Sequence, residues 1–199
     1  MSYAIIGFGK IGQALAKAFA RNGIEVTVAT TREPESFASD AAAIGSGVVP
    51  VTLAAAVKAD LIFLAVRFEA HPNVAKALSG WQGKTIVDVT NTRVPPEELG
   101  GRPSSSVVAQ AFTGARLVKG FNHLGAGVLG QDPGAHGGRR VVFLASDDED
   151  AATEVGELAE RLGFAPIKLG PLSEGGLLVQ ARGPTWGRLI FKDLVSFES

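Results

Sequence analysis

The chain predicts an α/β fold, a mostly parallel sheet with helices on both faces and a small C-terminal portion. Three observations predict it. Short apolar runs alternate with helix-like stretches along the chain, with no internal repeat. The first run leads straight into Gly7-Phe8-Gly9-Lys10-Ile11-Gly12, and an Ala-rich helical stretch follows. With 199 residues, 46% of them hydrophobic and 20% charged, the chain suits one core domain able to bury its own interior.

Tyr3 to Ile6 is apolar throughout, which predicts a strand buried on both faces. A helix is expected from Lys10 to Arg21, with Ile11, Leu15, Ala18 and Phe19 on its apolar stripe. Asn22-Gly23 stops it. Residues 24–29 form the second strand. Residues 33–47 are loosely helical, and 48–51 a third strand. Leu53 to Lys58 reads as a short helix, and Leu61 to Val66 as the clearest strand. Val74 to Leu78 belongs to the next helix, and Lys84 to Val89 is the fifth strand.

Thr90 to Pro103 contains three prolines and reads as a loop. A helix follows from Ser104 to Phe112, with its serines expected to cap the start. Leu117 to Phe121 is the sixth strand. The glycine-rich stretch from Gly125 to Gly138 is expected to be a mobile loop or a break between subdomains. Arg140 to Ala145 is a strand, and Asp147 to Leu162 a helix whose acidic first turns suit its dipole. Phe164 to Lys168 is a last strand, and Ser173 to Ala181 a short helix with Glu174 near its start. The tail from Gly183 to Ser199, with Trp186, Leu189, Ile190, Phe191 and Leu194, is expected to pack.

Composition excludes several functions. The formal net charge is -1, which gives no general pull towards nucleic acid or an anionic membrane. There are no cysteines, so disulfides, thiolate nucleophiles and cysteine metal ligands are excluded. His71, His123 and His136 stand far apart, so no metal site is expected. No run reaches the ~20 apolar residues of a membrane span. The opening residues carry no basic leader or cleavage site, so a cytoplasmic location is expected.

The glycine loop carries the chemistry. Gly7 permits a tight turn, Gly9 lets backbone approach a pyrophosphate, and Gly12 lets the helix lie close to the strand. The helix N-terminus then receives the phosphate charge. Such a loop alone is a weak signal. Here it has a strand before it, a helix after it and a returning strand, which together make a Rossmann-type βαβ unit. Phe8, Lys10 and Ile11 fill the positions between the glycines. The second strand ends in Thr30-Thr31-Arg32, where NAD sites usually carry Asp or Glu. Hydroxyls and a guanidinium suit a 2'-phosphate, so the sequence favours NADP(H) over NAD(H).

Further candidates fall at the carboxyl ends of later strands. Ala65-Val66-Arg67 can border the cofactor's ribose and diphosphate. Thr90 and Asn91 can bond ribose or carboxamide. Asn122 and His123 can line the nicotinamide side, each with a structural role as the alternative. His71 reads as a loop-orienting residue. Asp88 reads as a structural carboxylate. No Lys–Asp or His–Glu dyad is evident, which is compatible with hydride transfer by positioning alone.

The whole chain resembles the family of F420-dependent NADP oxidoreductases, also called NADPH-dependent F420 reductases. The likeness lies in Gly7-Phe8-Gly9-Lys10-Ile11-Gly12, Thr30-Thr31-Arg32, Leu64-Ala65-Val66, Asp88-Val89-Thr90-Asn91 and Val118-Lys119-Gly120-Phe121-Asn122. It continues through Leu169-Gly170-Pro171-Leu172 and Gly183-Pro184-Thr185-Trp186-Gly187. The resemblance implies hydride transfer between NADPH and the deazaflavin F420, or a flavin, stacked on the nicotinamide. It implies residues 1–123 as the NADP-binding core. Residues 124–199 then complete the sheet, the substrate cleft and the contact of a homodimer. Related domains also serve flavin-linked ferric reductases. Many relatives have proline where this chain has Arg67, which can reach a phosphate or an acidic substrate tail. Two other functions stay open. One is an NADPH-dependent reductase of a small imine, ketone or free flavin. The other is a non-catalytic NADP sensor or redox-partner module.

Overall fold

The computed structural model describes residues 1–134, 137–181 and 194–195. Apart from Leu194–Val195, the tail expected to pack around Trp186 lies outside the described residues, as do His136 and the Gly183-Pro184-Thr185-Trp186-Gly187 segment. In chain order the strands are β1 (Tyr3–Ile6), β2 (Val26–Ala29), β3 (Val48–Pro50), β4 (Leu61–Leu64), β5 (Thr85–Asp88), β6 (Arg116–Gly120), β7 (Gly138–Arg139), β8 (Val141–Ser146), β9 (Ala165–Lys168) and β10 (Leu194–Val195). The helices are α1 (Lys10–Arg21), α2 (Ala38–Ile44), α3 (Leu53–Ala56), α4 (His71–Ala75), α5 (Ser104–Ala111), α6 (Ala126–Leu129), α7 (Glu149–Arg161) and α8 (Gly175–Leu178).

Eight strands make one sheet in the order β3-β2-β1-β4-β5-β6-β8-β9. Neighbours run parallel throughout, except that β8 is antiparallel to β6. A separate ribbon pairs β7 with β10. The chain winds outward from β1 through β2 and β3, then returns to β4 and winds the other way. The switch therefore falls between β1 and β4, where an open α/β sheet leaves a crevice at its carboxyl edge.

Strand alternation explains the two layers. Ile5, Phe63 and Val87 face one core, with Leu15, Phe19, Val155 and Leu158 from α1 and α7. Ile6, Ile62 and Ile86 face the other, with Ala56, Val74 and Val108 from α3, α4 and α5. A row of aromatic rings runs through the first core from Tyr3 through Phe19, Phe63 and Phe121 to Phe164, with centroids 5.5 to 5.7 Å apart. Helix α1 has the expected bounds, and Gly23 (φ +64°) turns the chain after it.

Several elements differ from the expectation. Helix α4 starts earlier than Val74, because Pro72 sits in its first turn and the Phe68–His71 turn feeds it. The glycine-rich stretch contains α6, and Leu129 in it is fully buried against α1. The serines do not cap α5. Its N-cap is Pro103, and the Gln180 side chain accepts from the Ser104 amide at 2.8 Å instead. Ser104 and Ser105 are buried beneath the C-terminal segment. Asp148 caps α7 by accepting from the Ala151 amide at 2.8 Å, with Glu149 and Asp150 in the first turn. Among the described residues, no helix is long and apolar enough to cross a membrane.

Candidate functional site

The glycine loop lies at the switch between β1 and β4. The Gly7 amide donates to the Ala29 carbonyl at 2.8 Å, so the loop leaves β1 still bonded to β2. Gly7 has φ +105°, and a Cβ there would overlap the Ala65 carbonyl at the end of β4. A Cβ on Gly12 would overlap the Gly7 carbonyl. Only glycine lets α1 start this close to the strand. At Gly9 the requirement is different. It is exposed, and a Cβ there would meet nothing within 4 Å, so the space above it is open. Gly9 is also the N-cap of α1, with no side-chain cap and no acidic residue in the first turn. Free amides and an uncompensated helix dipole thus face that space. These residues fit a dinucleotide diphosphate.

Lys10 is exposed and Ile11 half-buried beside this loop, while Phe8 is buried. The Phe8 ring packs 5.6 Å from Phe37, and the Arg32 guanidinium lies 5.5 Å over the Phe37 ring. Two packed, mutually tilted rings therefore link the glycine loop to Arg32 and hold the cation beside it. Thr30 uses its hydroxyl locally, accepting from the Arg32 amide at 2.9 Å. Thr31 and Arg32 are exposed. Phe37 was not singled out from the sequence. Its signal was an aromatic five residues past the cation.

The second half of the edge is built by the ends of β4, β5 and β6. Ala65 and Val66 are half-buried under the glycine loop, while Arg67 is exposed. After Arg67 the chain turns sharply. The His71 Nδ1–H donates to the Phe68 carbonyl, and the two rings lie 4.9 Å apart. His71 therefore holds this turn.

Asn91 and Asn122 bond each other. Asn122 Nδ2 donates to Asn91 Oδ1 at 3.0 Å, and Asn91 Nδ2 donates to the Asn122 carbonyl at 2.8 Å. Asn122 Nδ2 also donates to the Val179 carbonyl at 2.8 Å, so it ties the C-terminal segment to this edge. Phe121, just before it, has φ +60° and is fully buried. No other non-glycine residue among those described has positive φ. That conformation costs on the order of 1–3 kcal/mol. The ring's packing against Phe63 and Phe164 holds it there, which aims Asn122. Thr90 Oγ1 and Asn122 Oδ1 are buried without a partner among the described residues.

A buried Lys–Asp pair that the sequence did not make evident joins β5 to β6. Lys119 Nζ lies 3.1 Å from Asp88 Oδ2, with side chains 1% and 0% exposed. Lys119 also donates to the Thr90 carbonyl, and Asp88 Oδ1 accepts from the Thr90 amide at 2.9 Å. Burial pushes the Lys119 ammonium below its ordinary value, and Asp88 opposes that shift. The pair sits inside the sheet, where no substrate reaches it. Asp88 is a structural carboxylate, as expected.

His123 is also internal, 5% exposed, with its ring 4.9 Å from Phe143. Its Nε2–H donates to the Val141 carbonyl at 3.2 Å, on the β8 side. Burial pushes its pKa down to about 4. The native ring therefore stays neutral across a window in which an unfolded histidine, near 6.5, binds a proton. The unfolded chain binds more protons there, so His123 contributes stability above about 6.5 that is lost as pH falls towards 4. The expected slope is about 1.4 kcal/mol per pH unit. Urea unfolding at several pH values checks this. A His123→Gln variant with the same slope as the wild type would contradict it.

Taken together, the fold and this edge have the form of a Rossmann-type dinucleotide-binding domain. Residues 2–92 match the family described as NADP oxidoreductase, coenzyme F420-dependent. This match spans the glycine loop to Thr92, a little under half of the 199 residues, and there the chain is similar to that family. A hypothetical protein, SMa0349, from Sinorhizobium meliloti has a similar structure, with 38% identity and a TM-score of 0.90. That match covers 99% of this chain and 96% of the other. A putative F420-dependent NADP-reductase from Arthrobacter sp. FB24 is 27% identical over 86% of each chain, with a TM-score of 0.69. Metalloreductase STEAP3 of Rattus norvegicus is 30% identical over 85% of this chain. The chain spans only 34% of the length of that relative.

Proposed function

We propose that the chain is an NADPH-dependent oxidoreductase that passes a hydride between NADP(H) and a deazaflavin (F420) or flavin-like acceptor. Gly7, Gly9, Gly12 and the α1 amides hold the diphosphate, and Thr31 and Arg32 face the 2'-phosphate. Asn91, exposed and held by the buried Asn122, orients the nicotinamide end, with Thr90 packed beneath it. When bound, NADPH supplies the hydride. The protein positions the two rings and excludes water between them.

One observation carries the choice of acceptor. Among the described residues, the ionisable groups inside this edge do not reach a substrate as proton donors. Lys119 and Asp88 are sealed in the sheet, and His123 is buried with its Nε2–H on the Val141 carbonyl. Reduction of a ketone or imine calls for a positioned acid. Transfer between two stacked cofactors does not.

Anaerobic mixing of the protein with NADPH and F420, FMN, FAD or riboflavin tests the reading, followed by loss of NADPH absorbance. Turnover with F420 is expected. Turnover with free flavins alone would reassign the acceptor, and turnover only with small imines or ketones would overturn the proposal.

A further inference from the structure

Arg67 and Arg93 line one cavity of about 780 Å³ at the carboxyl edge, together with Glu69, Ala70, Asn73 and Asn91. It opens between the turn after β4 and the loop after β5. Both arginines are exposed, and neither side chain bonds any described residue. Several other described arginines have partners. Arg116 pairs with Glu154 at 2.6 Å, Arg161 donates to the Tyr3 hydroxyl at 2.9 Å, and Arg21 donates to the Gly130 carbonyl at 2.8 Å. Arg32 rests on Phe37.

We infer that this cavity seats the anionic side chain of the second substrate, a phosphate or carboxylate group, between Arg67 and Arg93. The inference rests on the hydride-transfer reading above. The argument is one of charge. The cofactor's phosphates already have receivers, the diphosphate at Gly9 and the start of α1, the 2'-phosphate at Arg32. Arg67 and Arg93 are surplus to them. Two guanidiniums face one carboxylate, Glu69, so the cavity keeps a net positive charge. Its other polar residues, Asn73 and Asn91, are carboxamides that can donate to an anion. Guanidiniums suit phosphate and carboxylate oxygens through paired hydrogen bonds. Asn91 is also bonded to Asn122, so the seat adjoins the end of the edge where the rings would meet. An acceptor carrying a charged side chain would thus place its ring at the nicotinamide with its tail in this cavity.

The test compares acceptors with one ring and different tails. Protein saturated with NADP+ is titrated with riboflavin, which has no charged tail, and with FMN, which ends in a phosphate. Quenching of flavin fluorescence gives the two dissociation constants. F420 and its side-chain-free deazaflavin form the second pair, and distinguish a tail that also carries carboxylates. The tailed member of a pair is expected to bind at least about tenfold more tightly. Arg93→Ala and Arg67→Ala should each erase most of that preference, while binding of the untailed member moves less than about twofold. Salt should weaken only the tailed ligand. Both side chains are exposed and unbonded, so neither truncation should unfold the chain; thermal melting checks that. Equal affinities within both pairs, or a preference that survives both variants, would overturn the seat. So would a loss of NADPH affinity in Arg93→Ala, which would put the cavity in the cofactor's own path. Turnover reports separately on the acceptor reading. Tail-dependent binding without NADPH oxidation would sink that reading and keep the seat, and oxidation without tail preference would do the reverse.

Discussion

Lys119→Ala should destabilise the protein by about 3–5 kcal/mol, the largest loss expected from any single polar truncation here. The reason is what the substitution leaves behind. Asp88 is 0% exposed, and its Oδ2 has Lys119 as partner at 3.1 Å. Removing the ammonium strands a carboxylate inside the sheet and leaves the Thr90 carbonyl without its donor. The pair also ties the end of β5 to the end of β6, since Asp88 and Lys119 are register partners. The loop from Thr90 to Arg93 starts at this tie, so cofactor affinity should fall with stability. Attraction inside the pair is not the source of the large number. Desolvation of the two charges offsets most of it, and so Lys119→Met combined with Asp88→Leu should recover much of the loss. Urea unfolding of the single and double variants measures both. A Lys119→Ala variant within about 1 kcal/mol of the wild type would mean that the cavity admits water and solvates Asp88.

This pair also shows where the sequence stops being legible. Each residue is a charge near the carboxyl end of a mostly apolar strand, and each was read as an isolated event. Their meeting depends on strand register across 31 positions, which no local pattern encodes. The cap of α5 failed for the same reason. Three consecutive serines at the helix start are a good local signal, but tertiary packing buries two of them and brings Gln180 in from 76 residues away. Phe121 is harder still. A left-handed turn normally announces itself by glycine, and Gly120 stands one position too early. The ring's burial among other aromatics overrides the backbone preference.

Local rules worked where the determinants are local. The β1–α1–β2 unit was legible because the apolar run, the glycine spacing and the Asn22-Gly23 stop all lie within a few residues of what they control. Strand positions followed within about two residues, and the mixed direction at β8 did not. At the candidate site, the glycine turn was readable, while the Phe8–Phe37 contact beneath Arg32 was not. Arg93 escaped notice because a lone arginine in a proline-rich loop carries no pattern. Only the folded edge brings it to the cavity with Arg67.

Arg32→Ala should raise the dissociation constant for NADPH by about 10- to 100-fold and that for NADH by less than about twofold. The two cofactors differ only at the adenosine 2' position, a phosphate in one and a hydroxyl in the other. A hydrogen bond to a charged group contributes about 1.5–3 kcal/mol, which sets the range. Arg32 is exposed and held over Phe37 rather than paired to a carboxylate, so no competing acid blunts the effect. Thr30 cannot replace it, because a hydroxyl offers one hydrogen bond and no charge. Arg32→Lys should keep part of the preference, since charge survives but the planar fork and its stacking on Phe37 do not. Titration following the fluorescence of the reduced nicotinamide gives all these constants directly. Equal losses for NADPH and NADH would move Arg32 from the phosphate to the adenine ring. An unchanged NADPH constant would take the second strand's end out of cofactor choice, leaving Lys10 beside the glycine loop as the next cation to examine.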